Sequence, residues 1–159
     1  MTLQRLIDVP IESLPFVDEV STEVEATPEE AWEAVVATVE RRGGRTAGRA
    51  TGRALGCVPD RCAGEVGEIG GTVPGFLVTR SVPPAVLALM GEHRYSRYAL
   101  VFRVAEQGLD RPLLVSAETR AEFPGVSGSI YRLLVVGSHG HAVAVRSLLG
   151  SIRREAESN

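Results

Sequence analysis

Alternation opens the chain's ordered pattern. In FVDEVSTEVEA, residues 16–26, Phe16, Val20, Thr22, Val24 and Ala26 share one face. Glu19, Ser21, Glu23 and Glu25 share the other, the signature of a half-buried strand. TPEEAWEAVVATVERRGG follows. Thr27 is a good N-cap, Pro28 suits the first helical position, and Glu30 completes a capping box. Trp32, Val35, Val36 and Val39 form an apolar stripe at helical spacing, and Arg41 and Arg42 suit the negative end of the dipole. The pattern predicts a helix over about 28–42, ended by Gly43 or Gly44.

Residues 43–75 hold no sustained period. They are rich in glycine and arginine, and their intervening glycines oppose a helix that would align Arg45, Arg49 and Arg53. A solvated loop is the default reading for such a charge cluster. From residue 76 the chain is β-rich. FLVTRSV reads as a strand, and PPAVLALMG is ambiguous between strand and short helix. In HRYSRYALVFRVAEQG, Ser96, Tyr98, Leu100, Phe102 and Val104 lie on one side, with Tyr95, Arg97, Val101 and Arg103 on the other. LLVSAETRAEFPG alternates likewise: Leu113, Val115, Ala117, Thr119, Ala121 and Phe123 oppose Ser116, Glu118, Arg120 and Glu122. The two strands predict a hairpin whose outward face carries cross-strand arginine–glutamate pairs in solvent.

A final amphipathic stretch covers roughly 127–157. Ile130, Leu134, Gly137, His141, Val145, Leu148 and Ile152 fall on one stripe, which a continuous helix would turn inward, leaving His139 outside. Its centre, VVGSHGHAVAV, is costly: each glycine inside a helix costs about 1 kcal/mol relative to alanine. Either the helix breaks there, or something must approach its surface closely.

Composition narrows the classes. With 159 residues, 44% hydrophobic and 23% charged, the chain fits one domain spanning 1–159, with an N-terminal extension over 1–15. A net charge of −3 gives no reason to expect nucleic acid or an anionic membrane as partner. No apolar run is long enough for a membrane helix, and the early acidic residues do not suit a secretory signal. The expected compartment is therefore cytoplasmic. Cys57 and Cys62 are expected to be ordinary thiols, because two cysteines cannot close a zinc site alone. His139 and His141 diverge by about 200° on a helix and cannot share a metal. No metal and no cofactor is expected, and no nucleophile motif is present.

The order of strand, capped helix, antiparallel strands and long C-terminal helix resembles the START/Bet v 1-like superfamily. This group is also called helix-grip, SRPBCC or polyketide cyclase/dehydrase. The residues that carry the likeness are FVDEVSTEVEATPEEAWEAV, HRYSRYALVFRV, LLVSAETRAEFPG and YRLLVVGSHGHAVAVRSLLGSIRREAE, about two thirds of the chain. The resemblance implies an α+β fold, a curved antiparallel sheet gripping the C-terminal helix around an apolar cavity. It implies binding or transport of a hydrophobic small molecule, a lipid, polyketide or similar. The wall would come from Tyr98, Leu100, Phe102, Val115, Ala117, Thr119, Leu134, Gly137 and His141. Gly137 would leave space there, and His141 would offer a polar group. Tyr98 could reach a ligand or His141, and Tyr131 borders the stripe.

Two alternatives accompany that reading. One is a polyketide cyclase/dehydratase-type enzyme in which His141 or Tyr98 moves protons. The other is a protein-interaction module with a filled core, using 43–75 and the sheet surface. Fold alone does not choose among them.

Overall fold

The computed structural model describes residues 3–44, 50, 53–135, 137 and 139–158. A six-stranded antiparallel sheet runs in the order β1-β6-β5-β4-β3-β2. Its strands are β1 (Phe16–Val24), β2 (Thr72–Val73), β3 (Phe76–Val82), β4 (Val86–His93), β5 (Ser96–Ala105) and β6 (Leu113–Glu122). Helix α1 (Gln4–Ile7) precedes β1, and α2 (Pro28–Gly43) follows it. Two helices close the chain, α3 (Gly125–Val135) and α4 (Gly140–Ala156).

The ambiguous PPAVLALMG segment is a strand, joined through a turn to β3. Helix α2 begins where its signals place it. The Glu30 backbone N–H donates to Thr27 Oγ1 at 3.2 Å, and the Glu30 carboxylate accepts from the Thr27 N–H at 2.8 Å. Ala31, Ala34, Val35, Thr38 and Val39 are the residues it buries. Arg42 ties this helix to α4 through the hydroxyls of Ser147 and Ser151, at 3.1 and 2.8 Å.

The inner sheet face packs under α2 and α4. Its main core holds Val24, Leu87, Phe102, Leu113, Val115 and Ala117, with Val145, Leu149 and Ile152 from α4. The outer face departs from expectation. The N-terminal extension packs, in its described part, on this face: Ile11 and Leu14 cluster with Ala88, Met90, Ala99 and Val101. The Glu118–Arg120 ladder is therefore not solvated. Glu118 is only 7% exposed and pairs with Arg103 at 2.7 Å and with Arg120. Arg120 also donates to the Leu14 carbonyl at 3.0 Å. The expected cross-strand pairing is present in Arg103–Glu118 and Arg97–Glu122.

The C-terminal helix is not continuous. His139 stands at φ +58°, a left-handed conformation that interrupts the helical path. Gly137 sits in the break, and a Cβ there would lie 2.4 Å from the Leu133 carbonyl oxygen. The glycines thus mark a break rather than a packed approach. One consequence is that the inward stripe fails upstream of it: Ile130 is 58% exposed. Downstream, Val145, Leu148 and Ile152 do face the core. Phe16 is another departure. It is 58% exposed, because a bulge between Phe16 and Asp18 takes it out of the inner face.

Candidate functional site

A cavity of about 480 Å³ opens over one end of the inner face. The strand register locates it. Along the sheet, Leu87, Phe102, Ala117 and Val20 form one row, and Leu89, Leu100, Thr119 and Asp18 the next. Beyond these lie Gly91, Tyr98 and Ala121, then His93 and Ser96. The cavity occupies the last three rows. Its roof comes from Val39 of α2, from Ala144, Val145 and Leu148 of α4, and from Tyr131 of α3. Gly91 does not line it: a Cβ there would strike the Gly75 carbonyl at 1.9 Å and the Tyr98 ring at 2.9 Å, so the missing side chain lets the Gly75 backbone and the Tyr98 ring pack against β4.

An aromatic cluster closes one end. Tyr98 meets Phe76 edge-on at 5.3 Å between centroids and His93 at 5.5 Å. Tyr131 meets His93 at 4.9 Å and stacks on Tyr95 at 5.6 Å. The Tyr98 hydroxyl donates to the Gly75 carbonyl at 2.9 Å. Burial pushes its pKa far above the usual phenol range, so it is a neutral, committed donor. Burial also raises the pKa of Tyr131 and lowers that of His93, which favours the neutral imidazole. Cys57 lies near the Tyr98 hydroxyl, at 4.0 Å, and burial raises its thiol pKa. A raised pKa disfavours the thiolate, so Cys57 is no activated nucleophile.

A second polar station lies on the opposite wall. His141 Nε2 is 2.9 Å from Thr119 Oγ1 and 3.4 Å from Asp18 Oδ1. That carboxylate oxygen is buried and accepts no hydrogen bond from a described residue.

The sequence-predicted wall residues divide. Tyr98, Leu100, Thr119 and His141 line the cavity. Phe102, Val115 and Ala117 do not; they are fully packed in the core beneath α2 and α4. Gly137 lies exposed in the helix break, outside the cavity, and the side chain of Leu134 falls outside the described residues. Tyr98 donates to the Gly75 carbonyl, and the partners of His141 are Thr119 and Asp18. In 43–75, Leu55, Cys57, Val73 and Pro74 contribute to the wall, and Val58 pairs with Glu92 beside it. Arg53 is exposed, while Arg45 and Arg49 fall outside the described residues.

Sequence reasoning missed Asp18 and the aromatic role of His93. The signal for Asp18 was a charged residue in register with Val20 and Thr22, on the side meant for the core. For His93 it was a ring at the inner end of β4, a position that only the register reveals.

No family model matches this sequence, and no curated protein does. Solved structures do share its fold. Protein MLL2253 from Mesorhizobium loti is 9% identical over 89% of this chain and 97% of its own, with a TM-score of 0.58. CalU16 from Micromonospora echinospora is 16% identical over 88% and 80%, at 0.52. The di-domain ARO/CYC StfQ from the steffimycin biosynthetic pathway is 10% identical, at 0.55; the match covers 93% of this chain and 52% of StfQ. At these identities the likeness is one of fold: a curved antiparallel sheet carrying a long C-terminal helix. Among the described residues, no helix is long and apolar enough to cross a membrane.

Proposed function

We propose that this protein binds an apolar small molecule, a lipid, polyketide or similar, in the cavity between sheet and C-terminal helices. The observation that carries this reading is a cavity of about 480 Å³, walled mainly by aliphatic and aromatic side chains with a few polar groups at fixed positions. That is the composition and size expected of a small-molecule site. Tyr98, Leu100, Thr119 and His141 are the wall residues proposed to touch the ligand. Burial of the ligand's apolar surface supplies affinity at about 25 cal/mol per Å², less the cost of ordering it.

The experiment is native mass spectrometry of freshly purified protein, followed by solvent extraction and mass analysis of what is released. A stoichiometric apolar adduct is the expected result. A clean apo mass, together with failure of the protein to take up any apolar dye, would sink the reading.

A second reading is supported by one observation, the half-buried Asp18 carboxylate whose buried Oδ1 lies 3.4 Å from His141 Nε2. A carboxylate that holds a histidine in place is a recurring device in proton-transfer chemistry. A cyclase or dehydratase acting on a polyketide-type chain in the same cavity would use it, and the shared fold with StfQ agrees with that class of chemistry. Turnover lost in His141→Ala while apolar binding persists would favour this reading. The interaction module required a filled core, and the rows around Tyr98 and Thr119 are not filled.

A further inference from the structure

The net charge of −3 hides a segregation along the chain. All 20 acidic residues lie outside 123–154, while that stretch holds Arg132, Arg146, Arg153 and Arg154. Arg153 pairs with Glu157, and Arg154 donates to the Ser151 hydroxyl. Arg132 and Arg146 are exposed, and their side chains meet no carboxylate among the described residues. Helix α3 and most of α4 are therefore the basic part of an otherwise acidic chain.

Helix α3 adds an apolar face to that charge. Within 125–133 only Gly128 is buried, and Tyr131 is half-buried. These two residues hold the helix to the body. A Cβ at Gly128 would lie 3.1 Å from the Tyr95 carbonyl oxygen, and the Tyr131 ring stacks on Tyr95. At about 100° per residue, Val126, Ile130 and Leu133 fall within about 60° of one another, on the side opposite Gly128 and Tyr131. Each of the three is more than half exposed. So is Val143 on the first turn of α4, with Arg146 as its neighbour at i+3. Single apolar side chains on a surface need no explanation. Three aligned on a helix that stands clear of the body do.

We infer that α3 and the start of α4 dock on an anionic lipid bilayer. Val126, Ile130 and Leu133 enter the boundary between headgroups and acyl chains, and Arg132 and Arg146 meet the negative headgroups. An apolar face flanked by arginine is the composition of a helix that lies in a membrane interface. A second copy of this chain fits the stripe less well. A two-fold contact through α3 would set the same basic segments of both copies against each other. The cavity favours the bilayer further. Tyr131 lines it from the inner side of α3, so one helix, about 10 Å thick, separates the cavity from the docking face. Docking goes beyond the binding reading and does not depend on what the cavity holds.

The test is flotation of the protein with vesicles of phosphatidylcholine, with and without phosphatidylserine. The wild type should partition onto the vesicles that contain phosphatidylserine and only weakly onto the neutral ones. Arg132→Gln with Arg146→Gln should lower that partition about thirtyfold, at about fivefold for each cation near the surface. Ile130→Gln with Leu133→Gln should lower it at least about tenfold on both compositions, since about 0.8 kcal/mol is lost for each CH₂ no longer buried. Glutamine keeps the helix propensity, and all four positions are exposed, so urea unfolding should match the wild type in both variants. The arginine pair leaves the apolar stripe intact and reads docking independently of the glutamine pair at 130 and 133.

Failure of the wild type to float with phosphatidylserine vesicles overturns the inference, as does equal flotation of the wild type and both variants. Sedimentation of the same proteins without lipid supplies the remaining outcome. A wild-type dimer that Ile130→Gln with Leu133→Gln dissociates would assign the stripe to a second copy and overturn the bilayer as its partner.

Discussion

The inner face of the sheet has two halves built from the same alternation, and they differ in what lies above them. Under α2 and the body of α4, the rows of Phe102, Ala117 and Val115 are packed with no exposed surface to speak of. A few residues along the same strands, Leu100, Thr119, Tyr98 and Ala121 face open space. Strand composition differs in part, since the open half adds Thr119, Tyr98, His93 and Ser96 to its apolar residues. The difference comes from the roof. Helix α4 begins only at Gly140, and α3 departs from it at a left-handed His139. The lesson is that a period of two identifies a face, while a cavity needs a fact about a second layer.

Large-to-small changes should separate the halves most strongly. Phe102→Ala is expected to cost about 3–5 kcal/mol in urea unfolding, because the void is sealed under two helices. Leu100→Ala, in the next row, should cost less than about 2 kcal/mol, because its neighbourhood is already open on one side. Equal costs would break the comparison. Small-to-large changes probe the same contrast in reverse. Ala117→Leu should destabilise by about 1–3 kcal/mol through overpacking. Ala121→Leu should cost less than Ala117→Leu, because Ala121 borders the cavity, and should reduce uptake of an apolar probe.

The outer face supplies a control. Burial acts to raise the pKa of Glu118, but its hydrogen bonds to Arg120 and Arg103 outweigh this and hold the carboxyl below its ordinary value. A depressed folded pKa means stability that is present above the unfolded carboxylate pKa and lost as pH falls through the folded one. Glu118→Gln should therefore lower stability at neutral pH by about 1–2 kcal/mol, and the difference from wild type should shrink toward strong acid. Unfolding curves across the acid range check this, and probe binding at neutral pH should not change. Tyr98→Phe is a small effect too. It removes the hydroxyl that donates to the Gly75 carbonyl and should cost about 0.5–1.5 kcal/mol by thermal unfolding, with apolar probe affinity kept.

Much of the frame was readable from local signals. The Thr27–Glu30 box, the β5–β6 alternation and its charge pairs are written in neighbouring residues, and they stand where local physics puts them. What was not readable depended on distant partners. Nothing in SAETRAE says that the Leu14 carbonyl returns to Arg120 beside Glu118, so burial there looked like solvent. Nothing near Phe102 says that α4 lies over it, or near Tyr98 that it does not. Gly137 was noticed for a sound reason, its cost in a helix, yet that cost is relieved by ending the helix and not by opening a pocket. Asp18 stood in plain alternation with Val20 and Thr22, in regular register with β6, but a carboxylate on the core side says nothing of the histidine that a distant helix brings to it.

The most direct test of the hollow half is calorimetric titration of naphthalene into the wild type and into Ala121→Leu. The account predicts saturable one-to-one binding with a negative heat-capacity change in the wild type, the mark of apolar burial, and marked weakening in the variant. No binding to the wild type, or equal binding to both proteins, would contradict it.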